Sequence, residues 1–149
     1  MELQSPDFSD QARIPERFTC EGDNVSPALE WSGVPDGAAD LALVCEDPDA
    51  PGKTFVHWVL SGIDPDSVTG IGAGEVPAGS RHGRNDFGDN AYGGPCPPPG
   101  HGMHHYIFTL YAMSEPILLP EGASIDELRD AIANRGALAE TTLVGTYER

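Results

Sequence analysis

The chain has 149 residues, with 24 acidic against 8 basic side chains and a formal net charge of −16. That size fits one domain with a real hydrophobic core, 1–149. The charge argues against nucleic acid and anionic membranes as partners, since both need basic patches. High net charge is also a signature of disorder, but β-rich apolar runs recur along the whole chain. The reading that remains is a folded protein of a salt-loaded cytoplasm, halophilic and archaeal, where dense salt screens an acidic surface. The scarcity of lysine, with Lys53 the only one, points the same way.

In chain order, "MELQSPDFSD" has acids but no basic n-region and no apolar h-region, which predicts a cytoplasmic protein without a signal peptide. No apolar run is long enough to span a bilayer, so no stable membrane association is expected. With 18 glycines and 14 prolines punctuating short apolar runs, the pattern is that of an all-β sandwich. Strands are expected at Ala28–Trp31, Asp40–Glu46, Phe55–Gly62, His104–Met113 and Thr141–Tyr147. Weaker ones are expected at Met1–Ser5, Arg17–Cys20 and Gly70–Glu75. "FVHWVL" and "YIFTLYAM" are apolar on both alternating faces and read as central strands covered on two sides. One helix is expected, with a capping box at Ser124 and Glu127, an apolar face of Ile125, Leu128 and Ile132, and a stop at Gly136. Gly79–Gly94 is long, polar and glycine-rich, a loop of the functional or mobile kind. Cys20, Cys45 and Cys96 make an odd count in a cytoplasmic chain and read as free thiols, with Cys45 in the core.

Two stretches carry chemistry. In "CEDPDAPGKTFVHWVL" each proline drives the residue before it, Asp47 and Ala50, towards extended geometry, so the turn is stiff. Asp49 can cap that turn, while Asp47, at the strand end, can point along the sheet edge or into a cavity. Strand alternation places Phe55, His57 and Val59 on one face. A histidine there needs a partner to be buried, and a backbone carbonyl would satisfy it without any further role. In "GPCPPPGHGMHHYIF", alternation puts His104 with Tyr106 and Phe108, and His105 with Ile107. The prolines form a rigid wall without N–H donors, and His101 lies in the loop. Tyr106 also reads as a core aromatic and His105 as solvent-facing. His101, His104 and His105 lack a metal-binding helix spacing and partly face opposite ways, so no metal is expected. No nucleophile elbow, Walker motif or dinucleotide fingerprint occurs, and no cofactor is implied.

The islands "FTCEGDNVSPALEW", "DPDAP" with "HW", "NDFGDNAYGGPCPPPGHGMHHYIFTLYA" and "LVGTY" occur in this order over nearly the whole chain. In them the sequence resembles the phosphatidylethanolamine-binding protein family, in its bacterial and archaeal Raf-kinase-inhibitor-like branch. The resemblance implies an antiparallel Greek-key β-sandwich with a small pocket at one sheet edge for phosphate or a phosphoethanolamine head group. Carried over by motif position, the ligand-binding residues are Asp47, Asp49, Ala50, His57, Pro97, Pro98, His104 and Tyr106. His105 stands where the family has arginine, which puts in question an ion pair with a DPDAP carboxylate. A pocket for anions beside a carboxylate makes sense if Asp47 accepts from an imidazole, fixing its tautomer and favouring its charged form. His57, His104 and Tyr106 would then donate to the phosphoryl oxygens.

The expected function is binding of a small anionic or phosphorylated ligand, with a regulatory or inhibitor-like role, and not catalysis. A phosphoester hydrolase using the same Asp and His groups is the rival reading, and a docking module for phosphorylated partner segments is a third. The resemblance leaves a homodimer open, and no residue speaks for a kinase link.

Overall fold

The rows of residues that alternate inward along each strand decide the architecture. A computed structural model describes residues 1–149. Its strands are β1 (Glu2–Gln4), β2 (Leu29–Ser32), β3 (Asp40–Asp47), β4 (Phe55–Ile63), β5 (Gly70–Ile71), β6 (Arg81–His82), β7 (His104–Met113) and β8 (Ala137–Tyr147), with one helix, α1 (Ile125–Arg135). They form two antiparallel sheets, one ordered β1-β2-β5 and the other β6-β4-β3-β7-β8. The fold is the all-β sandwich expected.

Leu41, Leu43 and Cys45 of β3, Trp58 and Leu60 of β4, and Tyr106, Phe108 and Leu110 of β7 face the small sheet, where Leu3, Leu29, Trp31 and Ile71 close the core. The opposite face of the large sheet presents Ala42, Val44, Val56 and Val59, and Leu128 of α1 covers it. Both faces of β3 and β4 are therefore buried, which is why these strands lack a polar row; the second face of β7 is only partly covered, at His105, Ile107 and Tyr111. The Ser124 hydroxyl accepts from the Glu127 N–H, and Gly136 ends the helix at φ +77°.

Several expectations are corrected. Arg17–Cys20 is not a strand; Glu16–Phe18 is a 3₁₀ turn entered through Pro15, whose fixed φ suits a turn start. β5 is shorter than Gly70–Glu75, since Glu75 N–H donates to the Gly72 carbonyl and the chain turns away. β8 begins at Ala137, four residues early, because cross-strand pairing with β7 continues to Met113 and overrides the weak β-propensity of "ALAE". The polar loop holds a short strand, β6, paired to Leu60 and Ser61.

The most consequential correction concerns β4. Cys45 pairs with Trp58 and Glu46 with Val56, leaving His57 unpaired in a bulge. A bulge adds one residue and resets the alternation. Val59 therefore joins Val56 under the helix, while Phe55 and His57 turn the other way. Their ring centroids lie 5.0 Å apart.

Cys20 and Cys96 are also corrected: they form a disulfide, with Cα atoms 5.4 Å apart, and only Cys45 is a free thiol. An odd cysteine count does not exclude one pair. The two segments meet because the Cys20 N–H donates to the Pro95 carbonyl at 3.1 Å. The Tyr92 hydroxyl donates to the Phe18 carbonyl and Gly94 N–H to Asn24 Oδ1, both at 2.8 Å.

Candidate functional site

The site grows from the ends of the two central rows. Asp47 continues the inward row of Leu41, Leu43 and Cys45, and His104 continues that of Tyr106 and Phe108. Where the small sheet no longer covers these rows, loops close over them instead. The result is a cavity of about 190 Å³.

Asp47 is 3% exposed and fully engaged. Its Oδ1 accepts from the Asp49 N–H at 2.8 Å, and its Oδ2 faces His104 Nδ1 at 2.6 Å. Asp47, not Asp49, thus caps the stiff DPDAP turn, since its side chain reaches forward two residues in an Asx turn. His104 is 1% exposed. With Nδ1 committed to Asp47, its Nε2 meets His101 Nδ1 at 2.6 Å.

His57 is held differently. Its Nδ1 meets the Gly93 carbonyl at 2.7 Å, and the Gly93 N–H returns a bond to the His57 carbonyl at 2.9 Å. Against a carbonyl, Nδ1 must carry the proton, so the neutral ring presents Nε2 as an acceptor. Burial pushes the pKa of His57 below its ordinary value of 6.5, with the Gly93 carbonyl pulling the other way. Tyr106 stacks edge-on against His57 at 5.2 Å. Burial first, and the Asp47 charge second, push its phenol well above the ordinary range, so it keeps its proton. Neither His57 Nε2 nor the Tyr106 hydroxyl has a protein partner, yet no fully buried side-chain polar atom in the protein is unsatisfied. Both atoms therefore open to solvent, and the cavity they line is the way out.

The rest of the lining is apolar: Pro51, Phe55, Phe87, Pro97 and Pro98, with Ala50 and the disulfide-bonded Cys96. Of the eight residues singled out in the sequence, seven line this cavity. Asp49 does not. Its Oδ2 accepts from the His105 N–H at 2.8 Å and lies 2.7 Å from His105 Nδ1, at the sheet edge. That contact, more than any other, lowers the Asp49 carboxyl. Histidine in place of arginine thus still meets a DPDAP carboxylate.

Phe87 escaped the sequence reading. It sits in the polar loop but is held over the cavity because Asn85 Oδ1 accepts from the Phe87 and Asp89 N–H groups at 3.0 Å. Asp86 Oδ2 accepts from the Val56 N–H at 2.7 Å. A Cβ on Gly93 would fall 2.4 Å from the Phe87 ring, so glycine is what lets the ring close down. The usable signal was "NDFGDN", an aromatic inside an Asx-turn sequence.

Residues 4–148 match the family model described as phosphatidylethanolamine-binding protein. The chain belongs to the phosphatidylethanolamine-binding protein family. A relative of this family, a UPF0098 protein of Methanothermobacter thermautotrophicus, is 47% identical over 154 residues, covering 100% of this chain and 99% of its own. The crystal structure of a phosphatidylethanolamine-binding protein homologue of Chlamydia trachomatis, CT736, superposes with a TM-score of 0.92 at 33% identity, covering 99% of this chain and 97% of its own. That of E. coli YbcL, a member of the same family, superposes with a TM-score of 0.90 at 32% identity, covering 99% and 98%. Family membership makes the chain a binding protein of this type. No helix is long and apolar enough to cross a membrane.

Proposed function

We propose that the protein binds small anionic ligands bearing a phosphoryl group, such as phosphate or a phosphoethanolamine head, in the cavity between Asp47, His57, His104 and Tyr106. The observation that carries this reading is the pair of unpartnered polar atoms, His57 Nε2 and the Tyr106 hydroxyl, open into an otherwise apolar lining. A singly protonated phosphoryl group matches them. Its P–OH donates to Nε2, and a second oxygen accepts from the phenol. Moving that proton onto His57 gives the equivalent imidazolium–dianion pair, so either way the complex holds one proton. The Asp47 oxygens are taken by His104 and the Asp49 N–H, and its charge, which also keeps the proton on Tyr106, favours a ligand that binds with its proton. The apolar wall excludes water and strengthens the few polar contacts made inside it. The family's description, which names a phosphoryl-bearing lipid, agrees with this ligand class.

Phosphoryl monoesters lose their second proton near pH ~6. Above that pH, binding must take up one proton, and affinity for phosphoethanolamine falls about tenfold per pH unit. Calorimetric titration at pH 7.0 to 8.5, with the His57 ring followed by NMR, tests this. An affinity that ignores pH, or a His57 ring unmoved at saturation, sinks it.

A hydrolase at the same site is the second reading. The carboxylate–imidazole pair of Asp47 and His104 favours it, since such a pair can handle protons at a phosphoryl centre. Turnover of a phosphoester panel that vanishes in His104→Ala would select it over simple binding.

We further infer that the acidic surface is fitted to a salt-loaded medium. Only five of the 24 acids lie within ion-pair reach of a basic group, three of those partners being histidines.

A further inference from the structure

We propose that Arg149 is the third contact of this site: its guanidinium takes the phosphoryl oxygen that His57 and Tyr106 leave free, which fits the site to phosphoryl monoesters over diesters. This rests on the phosphoryl reading above and names the ligand class within it.

Three inward rows end beside one another. Asp47 closes the row of β3 and His104 that of β7. On β8, Leu143 and Tyr147 face the core, and Tyr147 is paired with His104. Paired side chains on an antiparallel ladder share a face, as do alternate residues along one strand. Arg149, two residues past Tyr147, therefore continues an inward row beyond the cover of the small sheet. The contacts there agree. The Arg149 Nε–H donates to the Pro97 carbonyl at 2.7 Å, and the Gly100 N–H donates to the Arg149 carbonyl at 2.9 Å. Pro97 lines the cavity, whereas Arg149 is exposed and outside the lining, which puts its guanidinium at the rim, tethered to the wall.

Only Nε is used by that tether. The two terminal nitrogens have no protein partner, and no carboxylate is in ion-pair reach of them. The charge reaches the cavity: burial and then the Asp47 charge hold the proton on the Tyr106 phenol, and Arg149 acts in the opposite sense. A phosphoryl monoester has three terminal oxygens. The protonated one donates to His57 Nε2, a second accepts from the Tyr106 hydroxyl, and the third still needs a donor. A guanidinium N–H is a charge-assisted donor to such an oxygen, and its positive charge offsets the Asp47 carboxylate. A diester has two terminal oxygens and no acidic proton at neutral pH, so it can neither donate to His57 nor use all three contacts.

The test is calorimetric titration at neutral pH of the wild type, Arg149→Ala and Arg149→Gln with phosphoethanolamine, and of the wild type with glycerophosphoethanolamine, the diester head of the corresponding lipid. The Arg149 Nε–H of the wild type is followed by NMR. Arg149→Ala is expected to bind phosphoethanolamine about tenfold more weakly. Arg149→Gln, whose amide can still donate to the Pro97 carbonyl but carries no charge, is expected to be weakened as much. The Nε–H signal should shift at saturation, and the diester should bind more weakly than the monoester. Arg149→Gln matching the wild type would reduce Arg149 to a prop for the wall and overturn the contact. Unchanged or tighter binding by Arg149→Ala, or an unmoved Nε–H signal, would also overturn it while leaving the binding site standing. A diester bound as tightly as the monoester would overturn the three-oxygen arrangement. No binding by the wild type would overturn both readings.

Discussion

Reduction of the Cys20–Cys96 bond is the perturbation whose size the structure fixes best. The bond closes a loop with a sequence separation of 76. In the chain-entropy account, a loop of that length withholds about 4.5 kcal/mol of disorder from the unfolded chain. For a chain of this size each kcal/mol moves the midpoint of thermal unfolding by about 2–4 °C, so reduction should lower it by about 9–18 °C. The folded state itself should survive, because the bonds from Cys20, Tyr92 and Gly94 hold the two segments together without the sulfurs. Melting curves with and without a phosphine reductant measure the shift, and a Cys20→Ser/Cys96→Ser variant should reproduce the reduced curve. Thiol counting in denaturant is the independent check. One reactive thiol, Cys45, is expected before reduction and three after. Three thiols in the untreated protein, or a shift below about 3 °C, would refute the reasoning. Oxidised pairs are rare in a reducing cytoplasm, so trapping thiols at lysis also tests the compartment expected from the N-terminus.

Three further outcomes follow from particular contacts. Gly145→Ala would place a Cβ 2.4 Å from Ile14 Cγ1 and 2.9 Å from Phe8 Cε2, and urea titration should find it destabilised by about 1–3 kcal/mol. His57 binds its proton less readily folded than unfolded, so its contribution is intact above pH 6.5 and is lost as the pH falls below it, by at most about 1.4 kcal/mol per pH unit; a His57→Gln variant with an unchanged acid slope would contradict this. Raising potassium chloride from about 0.05 to 2 M shrinks the screening length from beyond 10 Å to under 3 Å, so the midpoint of unfolding should climb throughout, and a flat curve would dismiss the salt-adapted surface.

Most of the framework was legible because local signals and tertiary demands agree there. The runs around Leu43, Leu60 and Phe108 are apolar in both alternating rows, which only a strand covered on two faces requires. The capping box at Ser124 and Glu127 is a local device that works in any context. The larger failures share a cause: the bulge, the disulfide and Phe87 each depend on a contact distant in sequence, whereas the 3₁₀ turn after Pro15 and the early end of β5 at Gly72 are local turns. The bulge at His57 leaves no mark of its own, since "FVHWVL" is apolar at every neighbouring position, and only the pairing with β3 reveals which residue is extra. The disulfide needs two turns 76 residues apart to meet. Val59 and Phe87 were misplaced or passed over for the same reason, one by the reset alternation and the other by a loop folded back onto β4. Asp47 and His104 were each legible as site residues because each sits at the end of an inward row, whereas their bond to each other and the occupant of the second His104 nitrogen were not, because strand periodicity does not say which rows meet and loops carry none.

That contrast bears on how the site works. Asp47 and His104 extend the same rows that form the core, so core packing fixes their positions and they need no ligand to order them. His57 reaches them only because the bulge turns it, and the Gly93 carbonyl then sets its tautomer. The two histidines are thus fixed by elements other than their own, His104 by β3 and His57 by the polar loop, while Phe87 is set by the Asn85 turn within its own loop. A site built this way carries little reorganisation cost on binding. Its selectivity is then decided by the geometry of the few polar atoms that open into it, His57 Nε2 and the Tyr106 hydroxyl.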